Sequence, residues 1–401
     1  MLAVLESLRR RAVAEGLPVY LVGGPVRDAL LHVPVKDLDF VLEGAAPALA
    51  GELANELGGF LTVHPRFGTA TVEVQGDRVD IVTARKEAYP FPGSLPEVSP
   101  SSLEADLARR DFSINAMALP LSVDEPLVID FHGGVRDLED QTIRTLHPGS
   151  FTDDPTRMLR AVRYQQRLGF ELAESTAAEL KGALAGGHVS AVTGDRWRQE
   201  LQRIFEEDRA AGMLLQAIDL GVLPAIHPAL SDGQHLMRLA EESGVASEPA
   251  NHLAALAASL SPADGDSASR RLNLPGPWAR VVRDTIAVRG ILAEITPSPA
   301  GHPVQPSTVC RLLNGMDLHV ITAMTRFWPD PQVVGQLEKY LAEWMQITPE
   351  LTGGDLLAMG VPRGPGLGEA LRELAAAKQD GLAATVEAER DLVKQIISRG
   401  S

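Results

Sequence analysis

Apolar and polar positions change their rhythm once along the chain. Up to about residue 145 short apolar runs alternate with helical spacing, and from residue 153 onward apolar residues recur almost throughout at helical spacing. In the first part, residues 19–22 (VYLV) read as a buried strand, 36–42 (KDLDFVL) as a second, and 46–57 as a helix. Residues 69–74 and 78–83 alternate and are joined by Gln75-Gly76-Asp77, which predicts a hairpin. Residues 86–105 are rich in proline, glycine and serine and predict a long loop, of the kind that inside a compact domain is usually functional or disordered. A buried segment around Arg109–Ala116 and a strand at 128–131 follow. In the helical part, breaks are expected at Gly186-Gly187, Gly221, Pro224, Pro228, 261–267 and 297–306. No internal repeat of fixed period appears. The pattern predicts an α+β protein, a small mixed sheet with helices followed by a long all-helical remainder.

Within this pattern Asp37 and Asp39 are conspicuous. Residues two apart on a strand share a face, so both carboxylates point one way while Leu38 and Phe40 point into the core. On a helix the two would diverge by roughly 200°. Neighbouring carboxylates repel and raise each other's pKa, which calls for a cation. Mg²⁺ is suited, since it takes one or two carboxylates together with substrate phosphates. A DxD alone also fits a solvated strand end or an Asx turn. The preceding Gly23-Gly24-Pro25-Val26-Arg27-Asp28 narrows the choice. A glycine pair after a strand lets backbone N–H groups approach an anion, and Ala29-Leu30-Leu31 is expected to begin a helix whose N-terminus favours negative charge. Arg27 adds a fork of donors for phosphate oxygens. Together these residues describe a nucleoside triphosphate held against metal. Asp80, in the second hairpin strand, supplies a third carboxylate if that strand pairs beside Asp37 and Asp39, and is otherwise an exposed edge aspartate.

Composition narrows the setting. The 401 residues hold several compact units, and the one cysteine, Cys310, excludes an internal disulfide framework and a cysteine zinc site. No apolar run spans a bilayer and the amphipathic helix at 1–16 lacks a cleavage pattern, so a cytoplasmic protein with no membrane partner is expected. Nothing points to an obligate protein partner. Acidic residues outnumber basic ones, 53 to 37, for a net charge of −16, so any nucleic-acid contact must come from clustered arginines and be salt-sensitive.

Such a cluster begins at FTDDPTRMLRAVRYQQRLGF, residues 151–170. Asp153 reads as an N-cap, with Pro155 in the first turn. Arg157 lies one turn beyond Asp154 on the same face. A carboxylate beside a guanidinium matches the amino donor and ring-nitrogen acceptor shared by cytosine and adenine. Guanine and uracil would leave buried groups unpaired, at about 1–3 kcal/mol each. An i, i+3 ion pair on a solvated helix is the plainer alternative. Arg160, Arg163 and Arg167 continue this helix, and Arg196, Arg198 and Arg203 lie on the next, as candidates for a phosphate-contacting track.

LVGGPVRDALL with KDLDF, then RRDFSINAMAL, FHGGVRDLEDQTIRTL, DDPTRMLRAVRYQQRLGF and GDRWRQELQRIF, in this order, resemble the class II tRNA nucleotidyltransferase and bacterial poly(A) polymerase family. The tail stretch LTGGDLLAMGVPRGPGLGEALRELAAAKQDG does so too. The resemblance implies a nucleotidyltransferase palm as head (1–145), a nucleotide-selecting neck (146–205), a helical body (206–300) and a tRNA-binding helical tail (301–401), in an elongated arrangement. It implies two Mg²⁺ ions on Asp37 and Asp39, and attack of the tRNA 3′ hydroxyl on the α-phosphorus of CTP or ATP with release of pyrophosphate. Gly23, Gly24 and Arg27 would hold the triphosphate, with Arg110, Asp111 and Asn115 around the ribose and phosphates. Asp154 and Arg157 would be the amino-acid template beside Arg160. Arg163, Arg167, Arg196 and Arg198 are the candidate contacts to the tRNA acceptor end. The template in this family often begins with glutamate where this chain has Asp153. The His-Asp dipeptide of the phosphohydrolase domain found in some relatives is absent. CC-only enzymes resemble forms shortened between the hairpin and RRDF, whereas residues 86–105 keep full length. CCA addition therefore ranks first and A addition next. A CC-only enzyme, poly(A) tailing and a noncatalytic RNA-binding module rank lower.

Overall fold

The computed structural model describes residues 2–35, 37–241, 248–296 and 304–399, which form two compact units, Met1–Glu200 with Asp219–Ile226, and Leu201–Ile218 with His227–Ser401. The first unit is built on a seven-stranded mixed sheet. Its strands are β1 (Val19–Val22), β2 (Leu38–Leu42), β3 (Phe60–His64), β4 (Thr69–Val74), β5 (Asp77–Thr83), β8 (Met117–Pro120) and β9 (Ile129–Asp130), in the order β3-β4-β5-β2-β1-β8-β9. All neighbours are antiparallel except β2 and β5, which run parallel with Asp39 level with Asp80.

Alternation along β2 divides the core. Leu38, Phe40 and Leu42 join Val4, Leu8, Leu49, Leu53 and Ile81 beneath helices α1 (Leu2–Glu15) and α3 (Ala46–Leu57). Val41 joins Val22, Leu103, Leu107 and Ala118 on the opposite face, where α4 (Leu103–Ala108) packs. Asp39 shares the parity of Val41 and so belongs to the α4 face. The hairpin, the 46–57 helix and the 19–22 strand match the sequence pattern.

Five local expectations change, the simplest at Pro224, where a short helix, Val222–Ile226, runs through the expected break because proline is tolerated in a first helical turn. Strand β2 starts at Leu38, so Asp37 stands just ahead of it, and Lys36 lies outside the described residues. Helix α2 (Gly24–Leu30) begins at the glycine pair and ends where the helix was expected to begin, because Pro25 fits a first helical turn and Gly23 turns the chain at φ 75°. The supposed loop at 86–105 contains an antiparallel ribbon, β6 (Arg85–Ala88) with β7 (Glu97–Pro100), then α4. Its prolines sit at the turn and at the ribbon's end, where no ladder donor is lost. A helix occupies Pro262–Arg271 in place of the expected break, capped by the Ser261 hydroxyl accepting from Asp264 N. The expected break at 297–306 falls mostly on residues outside those described.

Helices α5 (Gly134–Glu139), α6 (Ser150–Asp153), α7 (Arg157–Leu168), α8 (Glu174–Ala185) and α9 (Gly194–Phe205) follow the sheet, with one further parallel pairing between β10 (Thr142–Ile143) and β11 (Glu171–Leu172). The described part of the second unit is helical throughout, with Pro249–Ala257, Gly276–Leu292 and Leu318–Phe327 packed together. No described helix is long and apolar enough to cross a membrane.

Candidate active site

Gly23 sets the first wall. Its positive φ is one that side-chain-bearing residues rarely adopt, and a Cβ there would lie 2.6 Å from Arg110 Nη1. Arg110 therefore packs directly against the turn. Its guanidinium also donates to Asn115 O at 3.3 Å and to Asp106 at 3.1 Å. Asp106 is fully buried and accepts from Arg109 as well, at 2.7 Å, so it fixes both arginines. Sequence reading missed it, although an acid three and four residues before an arginine pair is a visible signal.

Arg27 is buried beneath the same turn. Its Nη1 donates to Asn115 Oδ1 and its Nε to Asp28 at 2.8 Å, and its Nη2 lies 3.6 Å from where a Gly24 Cβ would stand. Asn115 in turn donates to Asp111 at 3.0 Å. Asp111 also accepts from its neighbour Phe112 N and from Arg160 Nε and Nη2, at 2.8 and 2.6 Å. Burial alone would raise the Asp111 pKa. The charge of Arg160, the Asn115 hydrogen bond and the charge of Arg157 outweigh it and hold the carboxyl down to about 2.

The carboxylates form the second wall. Asp39 and Asp80 sit level on parallel neighbours and share a face. The Thr71 hydroxyl donates to Asp80 at 2.6 Å. Asp39 remains open to solvent but stands among charged groups. Lost hydration raises its carboxyl pKa, Asp80 and Asp37 add to the rise, and Arg110 opposes it. That balance is the mark of surplus negative charge with one cation at its edge. Among the described residues no three His, Cys, Asp or Glu side chains form a ready-made metal cage. The arrangement still fits a hard divalent ion that completes its shell with substrate phosphates and water.

At the start of α7 the expected helical pairing does not occur. Asp154 is extended (φ −134°, ψ 92°) between α6 and α7, so the i, i+3 geometry does not apply and Asp154 makes no ion pair with Arg157. Asp153 closes α6 and does not cap α7, whose N-cap position is Thr156 without a side-chain cap; Asp154 accepts from Thr156 N and Oγ1, at 3.0 and 2.6 Å. Arg196 completes its shell at 2.6 Å while donating to Gly93 O at 2.8 Å, which ties the ribbon turn to the neck. Arg157 is buried and donates to Ser150 Oγ and Arg109 O, at 2.6 and 2.7 Å. The solvated ion pair is thereby excluded. Both groups act electrostatically on Tyr89, whose hydroxyl donates to Glu87 at 2.9 Å and whose pKa is raised, chiefly by burial. Beside Arg196, Pro90, Phe91, Leu95 and Thr193 line a cleft of about 660 Å³.

Of the expected RNA track, Arg163 is buried with its guanidinium 5.4 Å from the Tyr164 ring, and Arg198 pairs with Asp195 at 2.7 Å. Arg167 closes α7 in its last turn. Tyr164 itself, buried among Arg27, Arg160 and Arg163, went unnoticed in the sequence, although one aromatic within an arginine run is a readable sign.

A glycine turn over an arginine, aspartates level on parallel strands and a following neck of arginine-bearing helices define a head of the nucleotidyltransferase type. Residues 19–144 match the Poly A polymerase head domain. The chain is 33% identical to the A-adding tRNA nucleotidyltransferase of Geobacter sulfurreducens over 96% of its own length, and spans 46% of that longer relative. It is 34% identical to the A-adding enzyme of Halalkalibacterium halodurans, covering 91% of this chain and 85% of that one. It is 33% identical to the CC-adding enzyme of Deinococcus radiodurans, covering 98% and 92%. A solved CCA-adding enzyme in an apo form superposes with a TM-score of 0.82 at 31% identity, over 98% of this chain and 95% of that one. The chain belongs to the tRNA nucleotidyltransferase and poly(A) polymerase family.

Proposed function

We propose that this protein adds CCA, or its terminal A, to the 3′ end of tRNA from CTP and ATP without a nucleic-acid template. The observation that carries this reading is Asp39, level with Asp80 and acted on by Asp37, with Arg110 linking that acidic face to the Gly23 turn. In this reading the triphosphate lies along the turn and Arg110, above buried Arg27, and the ribose lies near Asp111 and Asn115. The tRNA 3′ oxygen attacks the α-phosphorus, and pyrophosphate leaves. Two Mg²⁺ ions on Asp37 and Asp39, beside Asp80, would supply activation of the attacking oxygen and neutralisation of the leaving group. Asp154, fixed on one oxygen by Thr156 and Arg196, and Arg157, fixed by Ser150, are the base-selecting pair.

The head is assigned to 1–145, the neck to 146–205, the body to 206–300 and a tRNA-binding tail to 301–401, in a protein working in the cytoplasm. The names of the relatives divide between A, CC and CCA addition. The length of the 86–105 segment disfavours CC-only addition, and CCA ranks first. A-only addition is the second reading, favoured by the two A-adding relatives. Two tRNAs, one ending before CCA and one ending in CC, incubated with protein, Mg²⁺, ATP and CTP, test it. Completion of both means CCA addition, and extension of the CC-ending tRNA alone means A addition. Binding without incorporation would overturn the enzymatic reading.

A further inference from the structure

Tyr164 on α7 is 7% exposed, and three guanidiniums surround it. Arg27 stands 5.1 Å from the ring centroid, Arg163 5.4 Å and Arg160 5.7 Å, with Arg160 Nη2 also 3.4 Å from the hydroxyl. Arg27 comes from α2, whereas Arg160 and Arg163 come from α7. Three cations this close repel one another. Asp28 pairs with Arg27 and Asp111 with Arg160, and the electron-rich ring offers the attraction common to all three. Phe112 packs edge-on to the ring, with centroids 5.9 Å apart and an interplanar angle of 83°, and so limits its rotation. We propose that Tyr164 is a positioning residue for the nucleotide triphosphate, its ring holding Arg27 beneath the glycine turn and joining that arginine to the base-selecting helix. The proposal rests on the reading of the turn and Arg27 as triphosphate-binding.

The ring feels these charges. Burial would raise the hydroxyl pKa, yet the guanidiniums, Arg160 first, bring it below its ordinary value. The ring and not the hydroxyl carries the role, because the one hydroxyl contact is long. A defect at Tyr164 should therefore weaken ATP and CTP alike, since the triphosphate is what they share, and leave base choice to Asp154 and Arg157.

The test is the Kd for Mg-ATP and Mg-CTP by calorimetry, alongside KM and kcat for incorporation. Tyr164→Leu should raise both Kd values roughly tenfold, as expected for a desolvated cation–π contact, with kcat within about threefold and the preference for ATP over GTP unchanged. Tyr164→Phe should restore near-native binding. If the leucine variant does not fold, phenylalanines of increasing fluorination at position 164 keep the shape and weaken the ring's negative face, so Kd should climb with each fluorine. Unchanged Kd across that series, or a phenylalanine variant as weak as leucine, would overturn the proposal. Arg27→Ala separates the two levels. If it leaves Kd unchanged, the triphosphate reading of Arg27 fails. If it raises Kd while the Tyr164 series does not, the role of Tyr164 alone fails.

Discussion

Asp39 carries a charge that its surroundings disfavour. Its carboxyl pKa is raised, first by lost hydration and then by Asp80 and Asp37. A carboxyl that titrates higher in the folded than in the unfolded state stabilises the fold only at low pH, and above its folded pKa the charge costs stability. Asp39→Asn should therefore raise the melting temperature at pH 7 without metal, although it removes a proposed metal ligand. Adding Mg²⁺ should narrow that difference, because only the parent chain gains by binding it. Melting curves with EDTA and with Mg²⁺ check both points. A variant less stable than the parent in EDTA would mean that the three carboxylates do not strain one another. Strand parity placed Asp39 on the face opposite Leu38 and Phe40, but Asp37 lies ahead of β2, and its nearness to Asp39 shows only in the charge it adds there. Asp106 and Tyr164 went unread, Tyr164 because Arg27, one of the cations around it, lies 137 residues away along the chain.

Among elements, α7 carries Arg157 of the proposed base-selecting pair, and its start shows what sequence periodicity does and does not transmit. The apolar spacing and the arginines at 157, 160 and 163 were readable. The break at Asp154 was not, because it depends on the turn contacts to Thr156 and on Arg196 from α9. The ribbon at 85–100 was hidden likewise, since its short strands are half-exposed and their prolines suggested a loop. Helix α3 and the β4–β5 hairpin were legible to within a residue because each buries one regular stripe. Arg157 is held by Ser150 and the Arg109 carbonyl, so Arg157→Ala removes donors from an otherwise intact site. Discrimination of ATP and CTP against GTP and UTP should fall about tenfold or more, with tRNA affinity nearly unchanged. Competition assays with mixed nucleotides measure this, and an unaltered preference would remove Arg157 from the selecting pair.

For the whole molecule, one buried histidine ties stability to acid. In the second unit His252 is 2% exposed and stacked on Phe205, with ring centroids 6.0 Å apart, and burial lowers its pKa to about 4. The unfolded chain takes up this proton near pH 6.5 and the folded unit refuses it, so stability is full above pH 6.5 and declines toward pH 4. The loss should reach about 3 kcal/mol at pH 4, and denaturant unfolding of the parent and of His252→Phe should differ in slope across that window. The likeness to relatives at about one-third identity runs along nearly all of this chain, so its two units belong to a shared design. The central claim is that carboxylates on β2 and β5 drive nucleotidyl transfer to tRNA. The most direct test is incorporation of labelled AMP into a CC-ending tRNA by the parent chain and by Asp39→Asn, with tRNA binding measured on both. The account predicts activity in the parent, a loss on the order of 1,000-fold or more in the variant, and equal tRNA binding. Substantial incorporation by Asp39→Asn would contradict it.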